Sequence, residues 1–385
     1  MSDMAPIEEE LQQGFNRAKM LMREGKVEEA LRLIDELERR AAPYADRLPP
    51  NILYLIPFSR GRAYLQTKQP DRARPELEAA LELTGSDIEA CARTQNLLGV
   101  AYYEQEDPSS ALTYHLECLH ALEHEGIKDL NFRLSVYKNL ANDYWALNNI
   151  SYAIGAYKEA LSISKDLDAP ERQAEILWGL ALAYRVLREW RYARLHVTQA
   201  IQIYQSTRNK VAEAAMNINF ADILLEEGRT DKVAQSLDRA AQLLAGTDDP
   251  AALSFMHRYY TELCRREGKL EEAGLHAAES VRYAEMLLSP EYAVTNRLWA
   301  NPVRAYAEAL HGAALVEEAR DDTQAADQLF ARALEELEKV KVKEIKDTLC
   351  LSYASVLEAR GDYERAVRYY KAAIQPNAQS GSSLL

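Results

Sequence analysis

ANDYWALNNISYA (141–153) is followed forty residues later by ALAYRVLREWRYA (181–193). Both stretches open on a small residue, place Tyr three residues on, cross a polar turn and close on Ala twelve residues after the start. The same grammar recurs in GRAYLQTKQPDRA (61–73) and GVAYYEQEDPSSA (99–111). It continues in ADILLEEGRTDKV (221–233) and ASVLEARGDYERA (354–366), and begins with AKMLMREGKVEEA (18–30). TELCRREGKLEEA (261–273) keeps the second half but has Thr261 and Cys264 where the small residue and Tyr stand elsewhere. The closing positions are Ala30, Ala73, Ala111, Ala153, Ala193, Val233, Ala273, Ala326 and Ala366. A second small position follows seven residues later: Ala80, Cys118, Ala160, Ala200, Ala240, Ser280, Ala333 and Ala373. The first copy breaks this column with Leu37.

A period near forty residues is one supersecondary unit that cannot bury its apolar face alone. Small side chains at fixed crossings let two helices approach closely. Large side chains then fill the space beside them. Tyr102, Tyr144, Tyr157, Tyr184 and Tyr370 are expected in that role, which accounts for 22 Tyr against 6 Phe. The expected fold class is all-α.

Composition agrees. Only 15 Gly and 13 Pro interrupt 385 residues, and alternating Val–Thr–Ile runs typical of strands are absent. Sixty acidic residues against 46 basic give a net charge of −14, which argues against duplex DNA or an anionic membrane as partner. No apolar run approaches the roughly 20 residues of a membrane helix, and MSDMAPIEEE reads as no signal peptide. The four cysteines (Cys91, Cys118, Cys264, Cys350) lie far apart without CxxC, so neither disulfides nor zinc are expected and a cytoplasmic setting fits.

The repeated residues resemble the tetratricopeptide-repeat (TPR) family over about residues 7–376. The long period is similar to that of kinesin light chains, MalT-like regulators and bacterial peptide-sensing regulators. The resemblance implies a right-handed α-solenoid of about nine helix-turn-helix repeats. Helix pairs are expected near 7–40, 51–83, 88–124, 131–166, 171–206, 211–245 and 251–285, making repeats 1–7 within residues 1–285. An insertion over 286–303, with Pro290 and Pro302, reads as a hinge or loop. Repeats 8–9 then occupy 304–376, and 377–385 reads as a flexible tail. Gly25, Gly228, Gly268 and Gly361 mark turns between the paired helices. Asp71, Asp107 or Ser109, Ser151 and Asp362 are candidate caps of second helices.

In this family the first helices of the repeats line a concave groove. The family's groove positions fall here on Arg62 and Leu65; Arg93, Asn96 and Tyr103; Lys138, Asn142 and Trp145; Trp178, Leu182 and Arg185; Ile218, Asp222 and Leu225; and Phe255, Arg258 and Glu262. From these we select Arg62, Arg93, Asn96, Tyr103, Lys138, Asn142, Trp145, Trp178, Arg185, Asp222 and Arg258 as candidate ligand contacts. Asn can bond a peptide amide through donor and acceptor together, and Trp supplies a large anchor. Lys138 and Asn142, four apart on one helix face, resemble half of a carboxylate clamp, but Trp178 stands where its next Asn would be.

Catalytic and metal signatures are wanting. No GxSxG, HExxH, P-loop or GxGxxG is present. His120 and His124 have a metal-sharing spacing beside Cys118, but Cys118 falls on the packing column and the pair on an outer face, so no metal or other cofactor is expected. The reading is a non-enzymatic scaffold or regulatory sensor for a protein or peptide. The alternatives are a phosphoprotein-directed regulator with phosphatase-like activity and an architectural assembly subunit. The last repeat carries Leu349, Leu351, Tyr353, Val356 and Leu357 on its first helix and Tyr363, Val367, Tyr369, Tyr370 and Ile374 on its second; part of this set is expected to stay exposed and to be buried in a homodimer through the C-terminal repeat.

Overall fold

The computed structural model describes residues 5–289, 292, 301–339 and 343–374. Every regular element among them is helical. The helices pack as two units, Met1–His196 and Val197–Leu385.

The first unit contains α1 (Ala5–Arg23), α2 (Val27–Ala41), a 3-10 turn (Ala42–Tyr44), α3 (Pro50–Leu53), α4 (Leu55–Gln66), α5 (Pro70–Leu83), α6 (Ile88–Glu104), α7 (Pro108–His124), α8 (Leu130–Ala146), α9 (Ile150–Asp166) and α10 (Pro170–Val186). It ends within α11 (Trp190–Ser206). The second unit continues with α12 (Lys210–Glu227), α13 (Val233–Leu244), α14 (Pro250–Arg266), α15 (Leu270–Met286), α16 (Pro302–Ala319), α17 (Thr323–Glu338), α18 (Lys343–Ala359) and α19 (Tyr363–Ile374). Most turns between paired helices are three residues long, which forces the partners into hairpins. Much of the 286–303 insertion, and the 377–385 tail, lie outside the described residues.

The two small columns make the packing. All nine closing positions, Ala30 through Ala366, are at most 2% exposed. The opening positions Ala18, Ala141, Ala181, Ala221, Thr261, Ala314 and Ala354 are equally buried. Gly61 and Gly99 hold that position in the second and third copies for a reason specific to each. A Cβ at Gly61 would lie 2.6 Å from Leu77 Cγ, and one at Gly99 would lie 2.5 Å from His115 Nε2. The Leu37 irregularity is absorbed the same way: a Cβ on Gly14 would meet Leu37 Cδ2 at 2.4 Å. A large residue in one helix is matched by a deletion in its partner. Thr261 fits its small slot by returning its hydroxyl to the His257 carbonyl at 2.9 Å. Only Ala373 among the second small column is half-exposed, since no further described helix covers α19.

The tyrosines differ from expectation. Tyr102, Tyr144 and Tyr184 are half-buried, not sealed in the notches. Each stacks on an aromatic of its partner helix: Tyr102 on Tyr114 at 5.4 Å, Tyr144 on Tyr152 at 5.2 Å, Tyr184 on Tyr192 at 5.0 Å. A phenol prefers such a rim, where the ring is covered and the hydroxyl stays wet.

Turns and caps follow in part. Gly25, Gly228, Gly268 and Gly361 all have φ between 73° and 82°. Asp107 and Asp362 cap α7 and α19 through the Ser110 and Arg365 amides. Asp71 and Ser151 do not cap, because they lie inside α5 and α9, whose cap positions are Gln69 and Asn149, two residues earlier. Pro302 opens α16 behind the Asn301 cap, at the first helical position, where a missing N–H costs nothing.

Candidate functional site

Within the first unit, α1, α4, α6 and α8 are the first helices of successive hairpins, and α1 packs on α4 and α4 on α6. Ala18–Lys19 and Gly61–Arg62 occupy the same register, so Lys19 and Arg62 stand side by side one residue past the buried notch. Arg23 lies one turn beyond Lys19. None of Lys19, Arg23 or Arg62 makes a hydrogen bond or ion pair among the described residues. Burial lowers the pKa of Arg62, and repulsion from Arg23 and Arg93 lowers it further. Lys19 is lowered by burial and then by Arg62, Arg23 and Arg93, against a smaller opposing pull from Asp129. These cations crowd together without an ion pair among the described residues, on a chain that is acidic as a whole.

Arg93 borders the group but is satisfied. Its guanidinium donates to Glu89 Oε1 at 2.7 Å and to Asp129 Oδ2 at 2.9 Å, and it covers the Phe132 ring at 4.6 Å. Burial opposes its charge, yet the Asp129 and Glu89 bonds outweigh that and raise its pKa. Asp129 also caps α8 through the Phe132 amide, so one carboxylate fixes the helix start and the arginine together.

The asparagines form the second part. Asn96 is 8% exposed, and its Oδ1 accepts from Asn139 Nδ2 at 3.0 Å. This amide pair leaves Asn96 Nδ2 as a donor and Asn139 Oδ1 as an acceptor. Asn142 is exposed, and its Oδ1 accepts from the Tyr157 hydroxyl at 3.2 Å, which leaves its Nδ2 outward. Beneath them the Asn96 carbonyl is held by His115 Nε2 at 3.2 Å, while His115 Nδ1 lies 2.5 Å from Asp143 Oδ2. Burial raises the Asp143 pKa, and the His115 bond works against that rise. This His–Asp pair, sealed at 1% exposure on both side chains, fastens α6, α7 and α8 under the asparagines.

The remaining candidates are distributed as follows. Tyr103 is 38% exposed beside this group. Lys138 is neutralised by Glu175 at 2.7 Å, so it offers no bare charge to a carboxylate. Trp145 is half-buried against Ile150, Ile154 and Leu180. Trp178 and Arg185 on α10 are half-buried. Of the further groove positions, Ile218 and Leu225 are sealed at 2% exposure.

In the second unit Arg258 and Asp222 belong to a separate charge network. Arg258 Nη1 lies 3.5 Å from Glu308 Oε2, and Nη2 donates to the Tyr259 hydroxyl at 2.6 Å. Burial disfavours the charge, but Tyr259, Glu308 and Asp222 outweigh it and keep the guanidinium protonated. His311 lies in the same group and bonds Ser352 Oγ at 2.7 Å. A cleft of about 650 Å³ opens elsewhere in this unit, lined by Thr198, Asn217, Phe220, Asp238 and Arg239. Its charges are already satisfied: Arg239 on buried Glu213 at 2.8 Å, Asp238 by the Tyr260 hydroxyl at 2.5 Å.

Residues missed from sequence are Lys19, Arg23 and Asn139. Lys19 was readable, since it follows Ala18 as Arg62 follows Gly61. Asn139 falls off the family's groove register, and only the Asn96 bond reveals it. The His120 and His124 rings lie 4.4 Å apart on the exposed face of α7, with Cys118 buried away from them. Among the described residues no three His, Cys, Asp or Glu side chains converge as a metal site, and no helix is long and apolar enough to cross a membrane.

Comparison with known proteins agrees with this architecture. Models of the tetratricopeptide repeat match residues 58–87, 91–124 and 349–380. These correspond to α4–α5, α6–α7 and α18–α19. No curated protein sequence matches the chain. Among solved structures, the apo form of RapI aligns with a TM-score of 0.73 at 12% identity, over 94% of this chain and 96% of that one. The apo quorum sensor NprR from B. thuringiensis aligns at 0.64 and 14% identity, over 96% and 99%. A Rap protein complexed with Competence and Sporulation Factor aligns at 0.59 and 14% identity, over 95% and 97%. At such identities the likeness is one of fold. Sequence models, repeat register and helix packing agree that this chain carries tetratricopeptide repeats.

Proposed function

We propose that this protein is a non-enzymatic, cytoplasmic scaffold or regulatory sensor that binds a peptide or protein partner along α1, α4, α6 and α8. The observation that carries this reading is the Asn96–Asn139 amide pair, which presents one unused donor and one unused acceptor. That is the complement of a peptide group. Asn142 adds a donor four residues on from Lys138, and the rim cations supply charge. Full-length fold likeness to NprR, described as a quorum sensor, and to a Rap protein solved with Competence and Sporulation Factor supports a sensing role. The test is affinity capture with wild type and the Asn96→Ala/Asn142→Ala double variant as bait. Recovery of the specific partner should fall at least tenfold while helicity and melting hold. Equal recovery by a folded variant removes the reading.

Self-association through the last hairpin belongs to the same proposal. α19 leaves Tyr363 65%, Val367 48% and Ile374 74% exposed, while Tyr353 and Leu357 of α18 are sealed beneath. Sedimentation at micromolar concentration should give a dimer that Val367→Glu converts to monomer. A monomeric wild type would exclude it.

A further inference from the structure

We infer that the ligand bound on α1, α4, α6 and α8 is an acidic peptide segment whose carboxylate docks between Lys19, Arg23 and Arg62. This inference rests on the peptide-binding reading above and adds a chemical class to it. Three facts carry it. None of the three cations makes an ion pair or hydrogen bond among the described residues, and only Asp129 pulls on Lys19 from a distance, although 60 acidic residues were available. Their neighbour Arg93 is held by two carboxylates, so the unpaired charge in this group belongs to Lys19, Arg23 and Arg62. The spot adjoins the amide pair that would hold a peptide backbone.

Crowding like charges costs stability. Arg62 is half-buried, and its charge is disfavoured both by lost hydration and by Arg23 and Arg93. A carboxylate placed among these groups would accept charge-assisted bonds from Arg62 and Lys19 and cancel their repulsion. Relief of that repulsion would add to the free energy of binding an anion there. Nucleic acid is disfavoured, because a net charge of −14 repels a polyanion longer than the patch. A short acidic segment feels mainly the local cations within the screening length of about 8 Å at physiological salt.

The test uses the full chain and a fluorescein-labelled decapeptide library of acidic, neutral and basic members, each with free or amidated C termini. Fluorescence anisotropy reads affinity, and thermal melting reads the unliganded protein. Acidic members should bind at least tenfold tighter than neutral ones, and this preference should shrink as salt rises. If the docked carboxylate is a C terminus, amidation removes the preference; if it is an Asp or Glu side chain, amidation leaves it. Arg62→Gln should abolish the preference while leaving the melting temperature unchanged or raised, because it relieves repulsion. A merely structural arginine would instead lower melting.

Outcomes separate the two levels. Peptides that bind wild type, weaken with Asn96→Ala/Asn142→Ala, but show no acidic preference overturn this inference and spare the groove. Binding insensitive to the Asn variants overturns both, as does a library with no binder. A single-stranded oligonucleotide bound more tightly than any acidic peptide also overturns the inference.

Discussion

His115→Leu is expected to destabilise the first unit by about 3–5 kcal/mol, the cost of leaving the buried Asp143 carboxyl without its hydrogen-bonding partner. His115 Nδ1 lies 2.5 Å from Asp143 Oδ2, and Asp143 Oδ1 already lacks a partner. Leucine in place of the imidazole strips the other oxygen as well. The carboxyl must then stay uncharged or stay unsolvated at 0% exposure, and either state favours unfolding. Asp143→Ala alone should cost less, about 1–3 kcal/mol, because the His115 Nε2 contact with the Asn96 carbonyl remains.

The double variant His115→Leu/Asp143→Ala decides the point. It reproduces the pair at the equivalent place one hairpin earlier, Leu77 with Ala101, both at 0% exposure. An apolar replacement of similar shape can be neutral or stabilising. Denaturant melts should therefore show the double variant recovering most of the His115→Leu loss. Simple addition of the two single losses would show that the pair is not the source of the cost. Gly99 limits alternatives, since its missing Cβ makes room for the imidazole.

Acidification from pH 7 to 5 should weaken the second unit by roughly 2–4 kcal/mol through two histidines held neutral in the fold. His257 is pushed down to about 4, first by burial and then by His276, whose Nδ1 faces its own at 3.0 Å. Glu279 partly offsets this, Arg282 adds to it, and Tyr283 stacks on the ring. His311 is pushed down to about 4 by burial, then by Arg258, against the opposing pull of Glu308 and Glu262.

The sign follows from the direction. The folded pKa lies below the unfolded value, so the unfolded chain takes up protons first as pH falls. Stability is full above about pH 6.5, declines between 6.5 and 4, and levels off below the folded pKa. The lower end of the range allows for partial exposure of both rings. Because a repeat array opens locally, hydrogen exchange in α14–α16 is the sensitive readout. His257→Asn with His311→Asn should flatten the profile. An unchanged slope in that variant would assign the acid sensitivity to other groups.

Much of the architecture was legible because it depends on side-chain size at a fixed period. A residue with no room beside it must be small, and eight Ala and one Val at the closing positions said so without any coordinates. The Leu37 exception was equally lawful, but its explanation sits in another helix, at Gly14. The tyrosines were found by period and misplaced by depth. Periodicity gives a face, whereas depth depends on what covers that face. Asp71 and Ser151 failed as caps because a two-residue shift of a helix start is below what composition resolves.

The amino-acid sequence alone determined the repeat, the helical class and the buried small columns, and it named Arg62, Arg93, Asn96 and Asn142 as candidates. Size and periodicity are local properties, and they survive being read along one line. Tertiary structure decided which charges are spent. Glu89 and Asp129 satisfy Arg93, Glu175 satisfies Lys138, and nothing described satisfies Lys19, Arg23 or Arg62. Partners such as Asp129 and Glu175 lie 36 and 37 residues away, and electrostatic neutralisation acts through space within a few ångströms, so only the folded chain reveals where it is missing.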